Sequence, residues 1–135
     1  METRQSMELN QADQRLEVTR SSLAGSKFND VNLAESTFDD VKLAESTFDD
    51  VNLSGSTFDD VNLSGCSFDN VNLSGAKFQN ATLAGSRIQD ASLTGIKITD
   101  ADLRNAAIAD CLIDGMTIEG VAVTEMMAAY RASKA

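Results

Sequence analysis

Carboxylates come in pairs in this chain. Asp39 and Asp40, Asp49 and Asp50, and Asp59 and Asp60 each close the same five letters, STFDD, at ten-residue intervals. Paired carboxylates can share a proton in acid–base catalysis, lend oxygens to a divalent cation, or present negative charge to a basic partner. The rest of the inventory narrows that choice. Histidine is absent, so the Ser–His and Cys–His nucleophile devices cannot be built. There is no glycine-rich phosphate loop and no Cys/His cluster, and the repeated aspartates lie along a wall with no oxygen cage evident for a cation. No catalytic residue, cofactor or metal ligand can be nominated, and the expectation is a protein that is not an enzyme.

What remains is charge. Twenty-one acids face 11 bases, a formal net charge of −10. Such a chain repels itself, nucleic acid and anionic membrane surfaces, and favours a protein partner with a basic surface. From 30 to 69 ten acids meet one base, Lys42; from 70 to 120 six acids meet Lys77, Arg87, Lys97 and Arg104. The acid is concentrated in the N-terminal half. Two cysteines, Cys66 and Cys111, are too few for a disulfide framework, and the N-terminus lacks an apolar signal core. The expected location is cytoplasmic.

The elements that position these acids follow from a five-residue period. From Leu23 a bulky apolar residue recurs at every fifth place to Val123, with Phe28, Phe38, Phe48, Phe58, Phe68 and Phe78 alternating with Leu33, Leu43, Leu53, Leu63, Leu73 and Leu83 before isoleucine replaces phenylalanine. Two places earlier runs a smaller series of Ser, Val, Ala and Cys. A spacing of two puts both side chains on one side of an extended segment, and the remaining residues must turn the chain. A helix is excluded, because a step of five smears the apolar residues over every face. Units this short bury nothing alone and must stack as a solenoid.

Fives such as SKFND, VNLAE, STFDD, AKFQN, ATLAG and ADLRN resemble the pentapeptide-repeat family, with its loose A(D/N)LXX pattern, over about residues 21 to 123. The resemblance implies an all-β fold, a right-handed quadrilateral parallel β-helix of about five coils, with four fives per coil. Phe28, Phe48 and Phe68 would then stack on one face, Phe38, Phe58 and Phe78 on the opposite one, and the leucines on the other two. Asp39, Asp40, Asp59 and Asp60 would share one phenylalanine face, and Asp30, Asp49, Asp50 and Asp69 the other.

The expected organisation is an N-terminal cap over 1–20, the β-helix over 21–123, and a short helix over 124–135 with Thr124 as N-cap. Met126, Met127 and Tyr130 would either plug the core end or join two copies, as in those family members that dimerise through their C-terminal ends. Some members mimic duplex DNA and bind DNA gyrase, protecting it from inhibitors. Three functions stay open: an acidic rod binding a protein partner, a DNA mimic acting on a topoisomerase, and a structural spacer.

Overall fold

The computed structural model describes residues 8–10 and 16–134; most of the expected cap over 1–20, Met7 included, lies outside them. The chain winds as a parallel β-solenoid with strands on two opposite sides. One side, sheet A, holds β1 (Glu8–Asn10), β3 (Lys27–Asn32), β5 (Thr47–Asn52), β7 (Ser67–Asn72), β9 (Arg87–Gln89) and β11 (Ala107–Ala109), in that order. The other, sheet B, runs β2 (Glu17–Ser22), β4 (Thr37–Lys42), β6 (Thr57–Asn62), β8 (Lys77–Gln79), β10 (Lys97–Thr99), β12 (Thr117–Ile118) and β13 (Val121–Ala122). A helix, α1 (Val123–Lys134), follows. Register is Phe28 beside Phe48 beside Phe68 on sheet A, and Phe38 beside Phe58 beside Phe78 on sheet B. A coil is therefore twenty residues.

Six phenylalanines and six leucines, Leu33 to Leu83, make up the fully buried large side chains of the interior. The rings lie nearly parallel within each column, with centroids 4.6–4.9 Å apart and interplanar angles of 3–6°. That separation matches the spacing of hydrogen-bonded strands, so the backbone ladder sets the stack. Sheet B extends N-terminally through Val18, which sits beside Phe38, and sheet A through β1, where Leu9 pairs with Phe28.

The inward serines close the coils polar end to polar end. Ser46 Oγ accepts the Ser26 N–H at 3.0 Å and donates to the Leu23 carbonyl at 3.4 Å. Ser56 does the same for the Ser36 N–H and the Leu33 carbonyl. Among the described residues no buried side-chain N or O atom lacks a partner, as burial of polar groups demands.

Isoleucine first replaces phenylalanine in the repeat at Ile88. The structural change falls earlier, at the smaller inward residue. Strands β3 to β7 are six residues long and contain Val31, Val41, Val51, Val61 or Val71; from β8 onward coil strands have three residues or fewer, and Ala81, Ala91 and Ala101 occupy the equivalent places. Phe78 already lies on a short strand. Valine at that place favours extended backbone more than alanine does, although β2 keeps six residues with Ser21 there.

Corners between leucine and the next small residue are tight turns, such as Ser56 N–H to the Leu53 carbonyl at 3.1 Å. The third residue has positive φ: Gly55 at 67°, Gly65 at 67°, but also Glu35 at 61° and Glu45 at 62°. This is the type II turn, whose third position suits glycine. Glu45→Gly should therefore stabilise the chain by about 0.5–1 kcal/mol, as relief of the left-handed strain exceeds the extra freedom of an unfolded glycine. The check is a higher urea midpoint with an unchanged slope.

The five-step series reads on to Val121 and Val123, but the chain follows it only to Ile118. Glu119 and Gly120 both have positive φ, 52° and 78°. That pair makes a type I′ hairpin turn, so β13 returns antiparallel to β12, with Val121 beside Ile118, instead of starting another coil. Helix α1 begins at Val123, which puts Thr124 inside the first turn rather than at the N-cap. Glu125 in the first turn and Arg131 and Lys134 in the last complement the helix dipole.

Candidate protein-interaction surface

The acids divide into two kinds once the backbone is known. Asp30, Asp40, Asp50, Asp60, Asp90, Asp100 and Asp110 all have positive φ, between 50° and 57°, and Asn70 and Asn80 take the same place with φ of 59° and 50°. Among residues with a Cβ, Asn and Asp are the ones that tolerate this conformation best. These aspartates are corner residues, and their ten-residue recurrence follows from the corner.

Asp39, Asp49, Asp59 and Asp69 are different. They sit one place earlier, in extended strand, where Asn29, Gln79, Gln89, Thr99 and Ala109 also occur. Nothing in the backbone asks for a carboxylate there. The ladder sets Asp39 directly beside Asp59 on sheet B and Asp49 directly beside Asp69 on sheet A. Like charges on neighbouring rungs repel. Among the described residues the ion pair is elsewhere, between Arg104 and Asp102 at 2.7 Å; the Arg104 guanidinium holds the Asp102 carboxyl down to about 2. The four strand aspartates face solvent, with Asp59 half-buried.

The outward asparagines have a local task. Asn52 Oδ1 accepts the Ser54 N–H, Asn62 Oδ1 the Ser64 N–H and Asn72 Oδ1 the Ser74 N–H, each at 3.0 Å. These are Asx turns that launch the leucine corner. Between the corner acids and these asparagines run two open grooves. The one along sheet A has a volume of about 1050 Å³ and is lined by Asp30, Asp50, Asp90 and Asp110 with Val31 and Val51. Its counterpart along sheet B is about 500 Å³ and contains Lys42.

Cys66 offers no accessible chemistry. Both thiols are free. Cys66 takes a serine's place in the inward column, donates its S–H to the Leu43 carbonyl at 3.0 Å, and burial pushes its thiol up to about 12. Among the described residues no group of three or more Cys, Asp or Glu is placed to hold a metal, and no helix is long and apolar enough to cross a membrane.

The C-terminal end is apolar and open. Helix α1 buries none of its residues, and Met126 and Met127 are 38% exposed, Tyr130 64%. Ile108 and Leu112, which top the last coil, are 41% and 64% exposed.

A family model for the pentapeptide repeat region matches residues 41–118, and one for pentapeptide repeats in eight copies matches 19–55. The chain belongs to the pentapeptide-repeat family. Among solved structures, the pentapeptide-repeat protein Rfr23 from the cyanobacterium Cyanothece 51142 aligns with a TM-score of 0.71 at 16% identity, covering 84% of this chain and 88% of its own. At that identity the likeness is one of fold. A pentapeptide-repeat protein of the Arabidopsis thaliana thylakoid lumen aligns at 26% identity over 70% of each chain with a TM-score of 0.41. QnrB1, a plasmid-mediated fluoroquinolone resistance protein, aligns at 13% identity over 93% of this chain and 97% of its own, with a TM-score of 0.35. No curated protein matches the sequence.

Proposed function

We propose that this chain is a non-enzymatic interaction module, a rigid acidic rod whose sheet faces dock on a basic surface of a protein partner. The in-register pairs Asp39–Asp59 and Asp49–Asp69 carry the reading. They add repulsion that the backbone does not require, and Lys and Arg side chains of a partner would relieve it on binding. The acids lie in parallel lines at strand pitch on opposite faces, in the N-terminal half. That regularity favours a second, sharper form: a basic nucleic-acid groove, as in a topoisomerase such as DNA gyrase, accepts the rod in place of duplex DNA. The chain itself does not bind nucleic acid. Its two free thiols suit a reducing compartment, so it acts in the cytoplasm. Its exposed Met126, Met127 and Tyr130 support a meeting of two copies at the C-terminal end.

The test is supercoiling by a bacterial gyrase with increasing protein, at low and moderate salt, beside a variant with Asp39, Asp49, Asp59 and Asp69 changed to Asn. A corner control, Asp40→Asn with Asp60→Asn, keeps residues that the left-handed corner accepts. Wild-type inhibition or drug protection that weakens with salt and falls at least roughly tenfold in the four-residue variant supports the topoisomerase form. No effect at any concentration removes that form. The broader reading then stands or falls on whether a basic protein is bound by the wild type and missed by the variant. A rod with no such partner is a spacer.

A further inference from the structure

Two ladders flank the groove along sheet A, and they make unlike walls. One is the corner column, where Asp30, Asp50, Asp90 and Asp110 line the groove and Asn70 stands among them, donating Nδ2 to Asp50 Oδ1 at 3.4 Å. The left-handed corner accepts Asn as well as Asp, so the backbone alone does not choose the carboxylate. The other wall is Asn32, Asn52 and Asn72. Their Oδ1 atoms accept the N–H groups of Ala34, Ser54 and Ser74 at 3.0–3.2 Å. With each Oδ1 engaged in its turn, Nδ2 is the group these side chains offer outward. Val31, Val51 and Val71 lie between the walls. The groove therefore has acceptors along one side, donors along the other and an apolar floor.

Its dimensions select a slender occupant. Four rung spacings from Asp30 to Asp110, at about 4.8 Å each, make a length of about 19 Å. A volume of about 1050 Å³ over that length is a strip about 7 Å wide. An α-helix with its side chains is about 10–12 Å across and would stand on the rim. An extended chain rises about 3.3 Å per residue, so about six residues span the groove.

We propose that this groove docks an extended segment of a partner protein, about six residues long and bearing Lys or Arg. Its cations meet the corner aspartates and its backbone carbonyls accept from the asparagine amides. The proposal rests on the reading that a sheet face takes a basic protein partner. It assigns the contact to the sheet A groove and makes the partner's element a strand-like tail.

Two observations select this occupant. The first is charge. The sheet A groove is lined by four acids and no Lys or Arg. The sheet B groove has about half the volume and contains Lys42, and the carboxylate of its Asp102 is held by Arg104. The second is the donor wall. A linear polyamine satisfies the carboxylates but has no acceptor for Nδ2, whereas a peptide brings cations and carbonyls together.

The test titrates the full chain with a fluorescent, end-capped Lys-Ala-Lys-Ala-Lys-Ala peptide and with spermine, at low and moderate salt. Asp30→Asn, Asp50→Asn and Asp90→Asn together strip most of the sheet A wall. Asp40→Asn, Asp60→Asn and Asp100→Asn make the same charge change on sheet B, and both sets keep residues the corner accepts. Peptide affinity should fall at least roughly tenfold in the sheet A variant and less than about twofold in the sheet B variant. A further variant, Asn52→Asp with Asn72→Asp, removes the donors but keeps the turn acceptor, as Asp102 does for the Arg104 N–H at 3.0 Å. It should weaken the peptide and tighten spermine. If it tightens both, the groove is a charged strip and the peptide assignment is wrong. Equal losses in the two corner sets place binding on net charge and overturn the site. A wild type that does not bind the peptide overturns the groove too. In that case a basic protein still missed by the Asp39, Asp49, Asp59 and Asp69 variant leaves the broader reading intact.

Discussion

Replacing Phe48 by alanine should lower the stability of this chain by about 3–5 kcal/mol. Phe48 is fully buried and lies between two rings, Phe28 and Phe68, each 4.7 Å away. The cavity left behind cannot close by collapse. Its floor and ceiling are coils held at strand spacing by backbone hydrogen bonds, such as Thr47 N–H to the Ser26 carbonyl at 2.9 Å and Ser67 N–H to the Ser46 carbonyl at 3.0 Å. Both the transfer term and the cavity term are therefore lost in full. For a domain whose total stability is about 5–15 kcal/mol, the loss is a large share. Urea unfolding measures it directly. Phe78→Ile is the contrasting case, because the same column continues as Ile98 one coil on, and its cost should stay below about 1.5 kcal/mol.

Alkaline pH should destabilise the chain through one thiol. Burial raises Cys66 from 9.0 to about 12, with desolvation the main cause. The sign follows from proton counts. Between those values the unfolded chain loses the thiol proton while the folded chain keeps it, so the unfolded state binds fewer protons and stability falls as pH rises. The slope approaches about 1.4 kcal/mol per pH unit within the window. Well below pH 9, where the thiol is protonated in both states, it contributes nothing to the pH dependence. Cys66→Ser should remove this loss while keeping the inward hydrogen bond, since Ser46 and Ser86 occupy the same column and donate to the equivalent carbonyls. The check is the difference in urea midpoint between the two proteins at pH 8 and pH 11. A parallel loss in both would place the alkaline sensitivity elsewhere. Thiol alkylation offers a second reading: at pH 8 the more exposed Cys111 should react first, and Cys66 only on unfolding.

How legible the candidate surface was depends on which residue is considered. The facing of Asp39 and Asp59 on one sheet and Asp49 and Asp69 on the other followed from the four fives per coil that the family resemblance implies. That Asp40, Asp50 and Asp60 answer to a left-handed corner did not, because Asp and Asn are common in turns of many shapes and only φ separates them. Once those corner acids are set aside, the strand acids remain as charge without a local cause.

The interior was determined by the sequence alone. A bulky residue at every fifth place requires a stack of coils, the resemblance to the pentapeptide-repeat family supplies four fives per coil, and the phenylalanine and leucine columns lie where that count puts them. The ends were decided by tertiary structure. Val121 and Val123 keep the period, yet two consecutive positive φ values at Glu119 and Gly120 reverse the chain against β12. Period records which side chains face inward, and it carries no information about the direction the backbone takes after a corner. That β11 is the last strand of its sheet depends in the same way on where the chain goes after the hairpin.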